Sequence, residues 1–444
     1  MKKLLTIFTA LVVIGIGSAY SQHDHQKKDT TPAMHHQMHG MSEHRDMPSH
    51  AFSRNLPMSR NASGTAWNPD DSPMYMWMKQ TGKIDWMFHG SVFLRYTHTD
   101  IFSSGERGES QFGAPNWFMT MMNIRTGKKG LFNATAMISL DRLTESGNGY
   151  PLLFQSGETW KGARLVDRQH PHDLFSALSI GYTQMINRDL DVFTYIGYPG
   201  EPALGAPAFM HRVSSMNIPD APLGHHWQDA THITFGVATL GIRYKNFKLE
   251  GSAFNGREPD EERYGFDKPG LNSYSLRLSY NPTTNWAMQV SRGFIEQPEL
   301  LEPNVDVTRT TASVLYAKSL GASRHHSAAL IWGLNDKGAD HREHSVLLED
   351  NYQFGRNAIF GRYEFLQKSS EELDLENQFG HTRFDVHVLS LGYNRTLLTR
   401  KQIELTAGTK ATLNFPDKQL QRLYGKSPVG LQVYLQIRPS VHLH

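Results

Sequence analysis

The sequence predicts an all-β fold, a transmembrane antiparallel β-barrel of about 16 strands preceded by a disordered N-terminal tail. Three observations favour this fold class. The chain begins with an export signal, its later part alternates apolar and polar residues with period two, and the links between the alternating runs are short and long in turn. Together these features place the chain in the outer membrane of a double-membraned bacterium.

The N-terminus has the layout of a secretory signal peptide. Lys2 and Lys3 precede an apolar stretch from residue 4 to 17, and small residues then lead to a cleavage site before Gln22. We therefore expect residues 1–21 to be removed. No later apolar run approaches the roughly 20 residues that a spanning helix needs.

From residue 84 onwards the chain consists of short alternating runs. In the last one, Leu431, Val433 and Leu435 alternate with polar neighbours such as Gln432 and Gln436, which predicts a strand with one apolar and one polar face. Sixteen such runs are predicted at 84–98, 113–126, 130–141, 174–185, 190–198, 230–243, 245–256, 271–281, 285–294, 306–318, 322–334, 343–354, 356–367, 382–395, 401–414 and 427–438.

The links between the runs alternate in length. After every second run the link is a short turn, such as residues 127–129 or 282–284, whereas the links after the odd runs are longer. A transmembrane barrel has short periplasmic turns, longer outer loops and an even number of strands, so both termini are expected in the periplasm. A soluble sandwich or propeller gives no reason for such alternation. We therefore assign residues 84–444 to the barrel.

Residues 22–83 are predicted to be a periplasmic tail and linker. Between residues 23 and 50 the chain has seven histidines and four methionines but few core-forming side chains, which indicates disorder. Because the chain has no cysteine, a metal must use imidazole, thioether or carboxylate ligands, and the first two suit copper or silver. The alternative is a solvated linker with incidental histidines. The candidate ligands are Met34, His35, His36, Met38, His39 and Met41.

A second methionine-rich stretch lies just before the first strand. Met74, Met76 and Met78 alternate with Tyr75 and Trp77, which would place thioethers on one side of an extended chain. A soft cation could bind there. A hydrophobic plug or interface anchor is the favoured interpretation, because methionine fills irregular gaps well.

The two longest links, after the third and fifth strands, carry clustered histidines and carboxylates. Prolines and glycines between residues 199 and 224 restrict the second link, which predicts an ordered segment folded into the lumen. A lumen-facing metal site and a lock of hydrogen bonds that pins the loop to the wall are weighted equally. The candidate ligands are His170, His172, Asp173, Glu201, His211, His225, His226, Asp229 and His232.

Two other classes of function find less support. Lysine plus arginine total 45 against 43 aspartate plus glutamate, so the balance of charge gives no reason to expect a nucleic-acid partner. No Gly-x-Ser-x-Gly nucleophile elbow is present. A hydrolase with its site at the lumen mouth nevertheless stays an alternative, because barrel sites assemble from separate strands.

The two loop segments also carry a resemblance. The Gly-Glu-Pro-Ala-Leu-Gly and Phe-Met-His-Arg blocks at 200–212, the His-His-Trp-x-Asp-x-Thr-His block at 225–232 and the Asp-Arg-x-His-Pro-His-Asp block at 167–173 resemble a family of Gram-negative outer-membrane β-barrel proteins. The resemblance covers about sixty residues closely. It implies a heavy-metal setting, often copper-linked, in company with efflux systems, and it assigns no site residues.

These observations lead to one functional hypothesis with two rivals. We expect an outer-membrane barrel that binds or passes copper or silver, using the tail and the lumen-facing loop site. Its expected partners are outer-membrane lipid and metal-efflux components. The rivals are a general porin or structural barrel whose loop motifs are hydrogen-bonded locks, and an outer-membrane hydrolase.

A peptide that covers residues 22–50 tests the tail. It should bind Cu(II) through imidazole near neutral pH and release it as the histidines protonate below about pH 6.5. Under reducing conditions its methionines should take up Cu(I) or Ag(I). Calorimetry would contradict the prediction if copper uptake equalled that of a control peptide in which every His and Met is replaced.

Overall fold

The computed structural model describes residues 49–321, 323–338 and 341–442. The predicted signal peptide and most of the predicted tail lie outside these residues. The same holds for the tail ligands Met34, His35, His36, Met38, His39 and Met41, so copper or silver binding there stays a prediction.

The described chain forms a closed antiparallel barrel of sixteen strands, as the sequence predicts. The second strand is interrupted between residues 113 and 116. We number the strands β1 (Ile84–His98), β2 (Ser110–Gly113 and Asn116–Thr126), β3 (Gly130–Ile138), β4 (Phe175–Met185), β5 (Leu190–Gly197), β6 (Val237–Tyr244), β7 (Phe247–Phe254), β8 (Ser273–Tyr280), β9 (Trp286–Ile295), β10 (Val307–Ser319), β11 (Arg324–Asp336), β12 (Arg342–Phe354), β13 (Asn357–Ser369), β14 (Arg383–Arg400), β15 (Ile403–Phe415) and β16 (Val429–Pro439).

The barrel closes where the last strand pairs with the first. β16 runs antiparallel to β1 from Leu431 opposite His98 to Ile437 opposite Val92. The first half of β1 instead pairs with a short preceding strand, Trp77–Thr81, through a tight hairpin. Closure satisfies the backbone hydrogen bonds of the edge strands, which a lipid environment requires.

The strands alternate between an apolar outer face and a polar inner face. In β8, Leu276 and Leu278 are 62% and 43% exposed, whereas Arg277 between them is 1% exposed. Leu431, Val433 and Leu435 are likewise exposed, and Gln432 and Gln436 are buried. The predicted face assignment is therefore confirmed.

Aromatic pairs border the apolar exterior. Phe247 stacks on Tyr280 with ring centroids 4.1 Å apart at the short-turn end of β7 and β8. Tyr274 and Phe294 stack at 5.5 Å towards the opposite end of β8 and β9. An apolar band between aromatic girdles is the outer surface of a transmembrane barrel. The chain is accordingly an outer-membrane protein.

Short elements complete the described part of the chain. The α-helices are Asp141–Thr144, His225–Gln228, Glu376–Phe379 and Gln421–Tyr424, and the 3-10 helices are Met58–Arg60, Phe209–His211, Val213–Ser215, Ala230–His232 and Lys418–Leu420. Across residues 49–321, 323–338 and 341–442, no helix is long and apolar enough to cross a membrane. The short strands in addition to β1–β16 are Ser49–His50, Ser53–Pro57, Met74–Tyr75, Trp77–Thr81, Tyr150–Pro151, Glu158–Trp160, Ala163–Leu165, Arg168–Gln169 and Val441–His442.

Two segments have a structure that the sequence pattern does not indicate. Residues 49–83, predicted as tail and linker, are folded: His50 is buried, and its Nδ1 accepts a hydrogen bond from the Phe52 backbone amide at 3.0 Å. The predicted strand 230–243 begins only at Val237, because the 3-10 turn Ala230–His232 extends the inward loop. Alternation alone does not show where a buried loop passes into a strand.

Leu278 tests the transmembrane assignment. It lies between the two aromatic pairs, so Leu278→Arg should lower the free energy of unfolding by about 2–4 kcal/mol if the residue is near the bilayer midplane. Denaturant titration in phospholipid vesicles measures the change, with Leu278→Ala as the apolar control. An Arg variant no less stable than the Ala variant would argue against a lipid-facing position.

Candidate functional site

The first long loop, residues 139–174, reaches the inner wall, where Glu145 pairs with Arg95 at 3.1 Å. Two further segments of the chain lie in the lumen. The first is the N-terminal segment, residues 49–75, and the second is the inward loop, residues 198–236, between β5 and β6. Most side chains of the inward loop are buried, including Leu204, Arg212 and Trp227 at 1% exposed or less. This location confirms the predicted ordered, inward-folded loop.

Wall hydroxyls hold the start of the inward loop. The backbone amide of Ala203 donates to Ser252 Oγ at 2.8 Å, and that of Gly205 donates to Ser291 Oγ at 2.9 Å. Arg277 donates to the Gly205 carbonyl at 3.2 Å. Inward-facing polar side chains of β7 to β9 thereby satisfy loop backbone groups that would otherwise be buried without partners.

Buried charges hold the middle of the inward loop. Arg212 contacts both carboxylate oxygens of Glu349 on β12 at 3.1 Å and reaches Asp229 at 2.9 Å. Arg362 on β13 also donates to Glu349, at 3.1 Å. Asp220 accepts hydrogen bonds from Arg95 at 2.6 Å and from Lys410. The loop therefore crosses from β7–β9 to the opposite wall.

The N-terminal segment occupies the end of the lumen near the short turns. Ser53 Oγ donates to Asp191 Oδ2 at 2.5 Å, and the Asp71 amide donates to the Thr284 carbonyl in a short turn at 2.9 Å. Lys248 donates to the Thr65 carbonyl from β7. These partners lie on distant strands, so the segment folds only against the barrel wall.

Five of the predicted histidines lie together, as expected from the loop motifs. Ring centroids are 5.0 Å apart for His225 and His232, 5.3 Å for His225 and His226, and 5.8 Å for His172 and His232. His170 is 6.5 Å from His226. We call His170, His172, His225, His226 and His232 the histidine cluster; it surrounds a cavity of about 20 Å³.

Each imidazole of the histidine cluster has an acceptor group near its Nδ1 atom, and the contacts of His172, His225 and His232 are hydrogen bonds. The partners are carboxylates for four rings and a backbone carbonyl for the fifth. The distances are 2.6 Å from His170 to Glu158, 2.7 Å from His172 to Asp141, 2.5 Å from His225 to Asp229, 3.5 Å from His226 to Glu258 and 2.8 Å from His232 to the Asp229 carbonyl.

The Nε2 atoms of the five rings differ in their burial or hydrogen bonding. His172 Nε2 and His232 Nε2 are buried without a hydrogen-bond partner. Nevertheless, in the described part of the chain no group of three or more His, Asp or Glu side chains is arranged to hold a metal ion. The expected convergence of three ligands is therefore not present in this conformation.

Burial controls the protonation of the histidine cluster. It lowers the pKa of His170 and of His226 to about 4 each and holds that of His232 well below its ordinary value. Burial alone would raise the pKa of Glu158, but His170 and Arg263 beside it lower the pKa below its usual range. These three imidazoles are consequently neutral near pH 7, the form that ligates metals.

The remaining predicted ligands have other surroundings. Asp173 pairs with Arg263 at 3.2 Å on the margin of the histidine cluster. Glu201 faces Arg277 at 4.0 Å, beside the N-terminal segment. His211 packs against His89, with ring centroids 5.4 Å apart. Glu201 and His211 therefore do not belong to the histidine cluster, contrary to the single site predicted for them.

Sequence reasoning missed the carboxylates that orient the rings. Asp141 and Glu158 lie earlier in the first long loop, and Glu258 lies in the loop between β7 and β8. Asp141 and Glu158 shared a long loop with predicted ligands and could have been proposed on that basis. Nothing in the sequence pattern links Glu258 to a histidine more than thirty residues earlier.

Comparison with known proteins gives fold-level similarity alone. No protein-family model and no curated protein sequence matches the chain. Among solved structures, OmpF of Salmonella typhi aligns at 8% identity, covering 82% of this chain and 100% of that one, with a TM-score of 0.49. The anion-selective porin of Comamonas acidovorans aligns at 12% identity, covering 80% and 99%, with a TM-score of 0.48.

The channel DcaP of Acinetobacter baumannii gives a similar result. It aligns at 10% identity, covering 81% of this chain and 98% of that one, with a TM-score of 0.43. Similarity this low carries nothing about activity, and the assignment of the fold rests on the strand pairing of the chain itself. The family resemblance carried by the loop blocks stays a prediction.

Glu349 tests how the inward loop is held. Glu349→Ala removes the carboxylate shared by Arg212 and Arg362 and should destabilise the protein by about 3–5 kcal/mol, because buried charge is left without a partner. Limited proteolysis should then cut within residues 198–236. The control is Asp350→Ala on the same strand, which removes a partly exposed carboxylate that pairs with His326 of β11. Equal protease resistance of both variants would contradict this account.

Proposed function

We propose that this outer-membrane barrel binds a transition metal, copper or silver, inside its lumen and passes it across the membrane, with the histidine cluster as one binding site. One observation carries the proposal: five imidazoles from two loops surround a cavity of about 20 Å³, and Nε2 of His172 and His232 is buried without a partner. A cavity of that volume accommodates one water-sized occupant.

The chemistry of the cluster supports a metal ligand set. Metal-binding histidines commonly donate one ring N–H to a carboxylate or a carbonyl, which fixes the tautomer and aims the other nitrogen at the ion. Nδ1 of His172 and of His232 has such a partner. Imidazoles in this arrangement suit copper. A third ligand requires a small movement of a neighbouring ring, and His225 is the nearest to His232.

A hydrogen-bonded lock is the second candidate, and a specific observation favours it. All five rings contact a carboxylate or a backbone carbonyl, as expected if they only pin the loops of a porin or structural barrel. The two candidates share the Nδ1 contacts and differ at Nε2. A lock needs no ligand at Nε2, whereas metal binding requires this nitrogen.

The wider role follows from the location of the site. An ion that enters through the outer loops would reach the histidine cluster before the N-terminal segment. Metal-efflux components on the periplasmic side are the proposed partners, with the His/Met-rich tail as the proposed point of contact. The apolar exterior makes outer-membrane lipid the surrounding medium.

Two substitutions of His172 separate the candidates. In His172→Asn the amide approximates Nδ1 and keeps the contact with Asp141, but Nε2 is lost. In His172→Gln the amide approximates Nε2 instead, and the Asp141 contact is lost. If the cluster binds metal, His172→Asn should weaken Cu(II) binding by roughly tenfold or more while the first long loop, residues 139–174, stays resistant to protease because the contact with Asp141 is kept.

Calorimetry on the full chain measures the Cu(II) affinity, and the unchanged tail contributes equally to every variant. A lock predicts the reverse pattern. Copper binding would be unaffected by His172→Asn, and His172→Gln alone would make the first long loop sensitive to protease.

A further inference from the structure

The inner wall of β1–β3 carries methionines where a barrel lumen is ordinarily polar. Met87, Met119, Met121 and Met137 are all buried on the inner face. In the strand pairing Met87 lies opposite Met121, and Met119 lies opposite Met137. Inner positions on β8, by contrast, include Arg277, which follows the usual pattern.

This wall borders a cavity of about 150 Å³. The N-terminal segment and the inward loop form its other sides and add further thioethers. Besides Ala62, Val213, Ile218 and three prolines, its aliphatic lining consists of methionine. We call this cavity the methionine chamber; its methionines are Met58, Met74, Met76, Met87, Met121, Met210 and Met216.

Methionine as a gap filler does not by itself explain this lining. Flexible thioethers do fill irregular cores well. They would, however, close a gap rather than surround an open volume of about 150 Å³. The side chains also come from three separate parts of the chain, since Met58 belongs to the N-terminal segment, Met87 to β1 and Met210 to the inward loop.

An unpartnered imidazole faces the same cavity. His89 lines the methionine chamber, and its Nε2 is buried without a hydrogen-bond partner. The His89 ring lies 5.1 Å from Trp117 and 5.4 Å from His211, measured between ring centroids. A buried nitrogen without a partner is available to bind a ligand. An indole ring nearby adds a face that attracts cations.

The charges on the lining, which include the guanidinium groups of Arg212 and Arg438, each paired with a carboxylate outside the cavity lining, favour a cation of low charge. The carboxylate on the described lining, Asp141, already accepts hydrogen bonds from His172 at 2.7 Å and from the Asn116 amide at 2.8 Å. A divalent ion would be poorly compensated here. Thioether and imidazole ligands select soft monovalent ions, whereas hard cations prefer carboxylate and carbonyl oxygens.

We infer that the methionine chamber binds a soft monovalent cation, Ag(I) or Cu(I), through thioether sulfurs of Met87, Met121 and Met210 and through Nε2 of His89. The inference rests on the proposed function for the choice of copper or silver, but its ligands are different residues. His172 lines both the chamber and the histidine cluster, so the two sites adjoin.

The test is a titration of the full chain with silver nitrate. The chain is labelled with ¹³C at the methionine methyl groups and studied by NMR in detergent. Ag(I) should shift the methyl signals of Met87, Met121 and Met210, while that of Met288 on the lipid-facing surface should stay unchanged. The paired substitution Met87→Leu/Met121→Leu conserves volume and should weaken silver binding at the chamber by roughly tenfold or more.

Matched variants make each result decisive. Met288→Leu is the control for the loss of a thioether, and His89→Phe keeps a ring against Trp117 while it removes the ligand nitrogen. The inference is overturned if Ag(I) leaves the methyl signals of Met87, Met121 and Met210 unshifted. It is equally overturned if Met87→Leu/Met121→Leu and His89→Phe both retain the silver affinity of the unchanged chain.

Cu(II) titration of His172→Asn separates the two proposals. Silver-dependent shifts in the chamber with Cu(II) binding unaffected by His172→Asn support the chamber and refute the histidine cluster. Absence of silver-dependent shifts in the chamber together with weaker Cu(II) binding by His172→Asn refutes the chamber but not the histidine cluster.

Discussion

The lumen is organised around one buried ion pair, Arg212 with Glu349. The Arg212 guanidinium is 1% exposed, so it requires carboxylates at short range. Glu349 supplies one from the wall, and Asp229 supplies a second from the loop itself. Because Asp229 also contacts His225 at 2.5 Å, the same charges position the histidines. The inward loop is therefore held in one arrangement rather than collapsed loosely into the lumen.

This arrangement places different ligand chemistry on the two sides of the loop. The helical turn His225–Gln228 contributes imidazoles next to carboxylates, whereas Met210 and Met216 face the thioethers of β1 and β2. Imidazole with carboxylate suits Cu(II), and thioether with imidazole suits Cu(I) or Ag(I). An ion passing from the outer loops towards the short turns would meet the borderline ligands first and the soft ligands second. His172, which lines both cavities, is where the two environments join.

The sequence predicted the barrel well because each strand shows its own local alternation of apolar and polar residues. Residues 84–98, for example, coincide with β1, since a half-exposed strand alternates along its own length. The segments that fill the lumen show no such local pattern in the sequence. Thr65 is held by Lys248 and Arg277, which lie on strands far away in sequence. The sequence alone therefore indicates a linker for such a segment, because its partners become its neighbours only when the barrel closes.

The candidate site was likewise predictable only where its residues lie close together in the sequence. Dense histidines at 225–232 were visible along the chain, but Glu258, which orients one of them, was not. The methionine chamber was hidden more completely. In β2 both faces are partly apolar, with Phe118 outside and Met119 and Met121 inside, so alternation cannot tell lipid from lumen there.

Only closure of the barrel makes that distinction. It sets Met121 opposite Met87 on the inner wall and brings the inward loop against them. A thioether that faces lipid is one more apolar group, whereas a thioether that faces a cavity beside an unpartnered imidazole is, in our proposal, a ligand for a soft ion. Whether a methionine faces lipid or the cavity depends on how the barrel closes. The chamber is therefore inferred from the structure and not from the sequence.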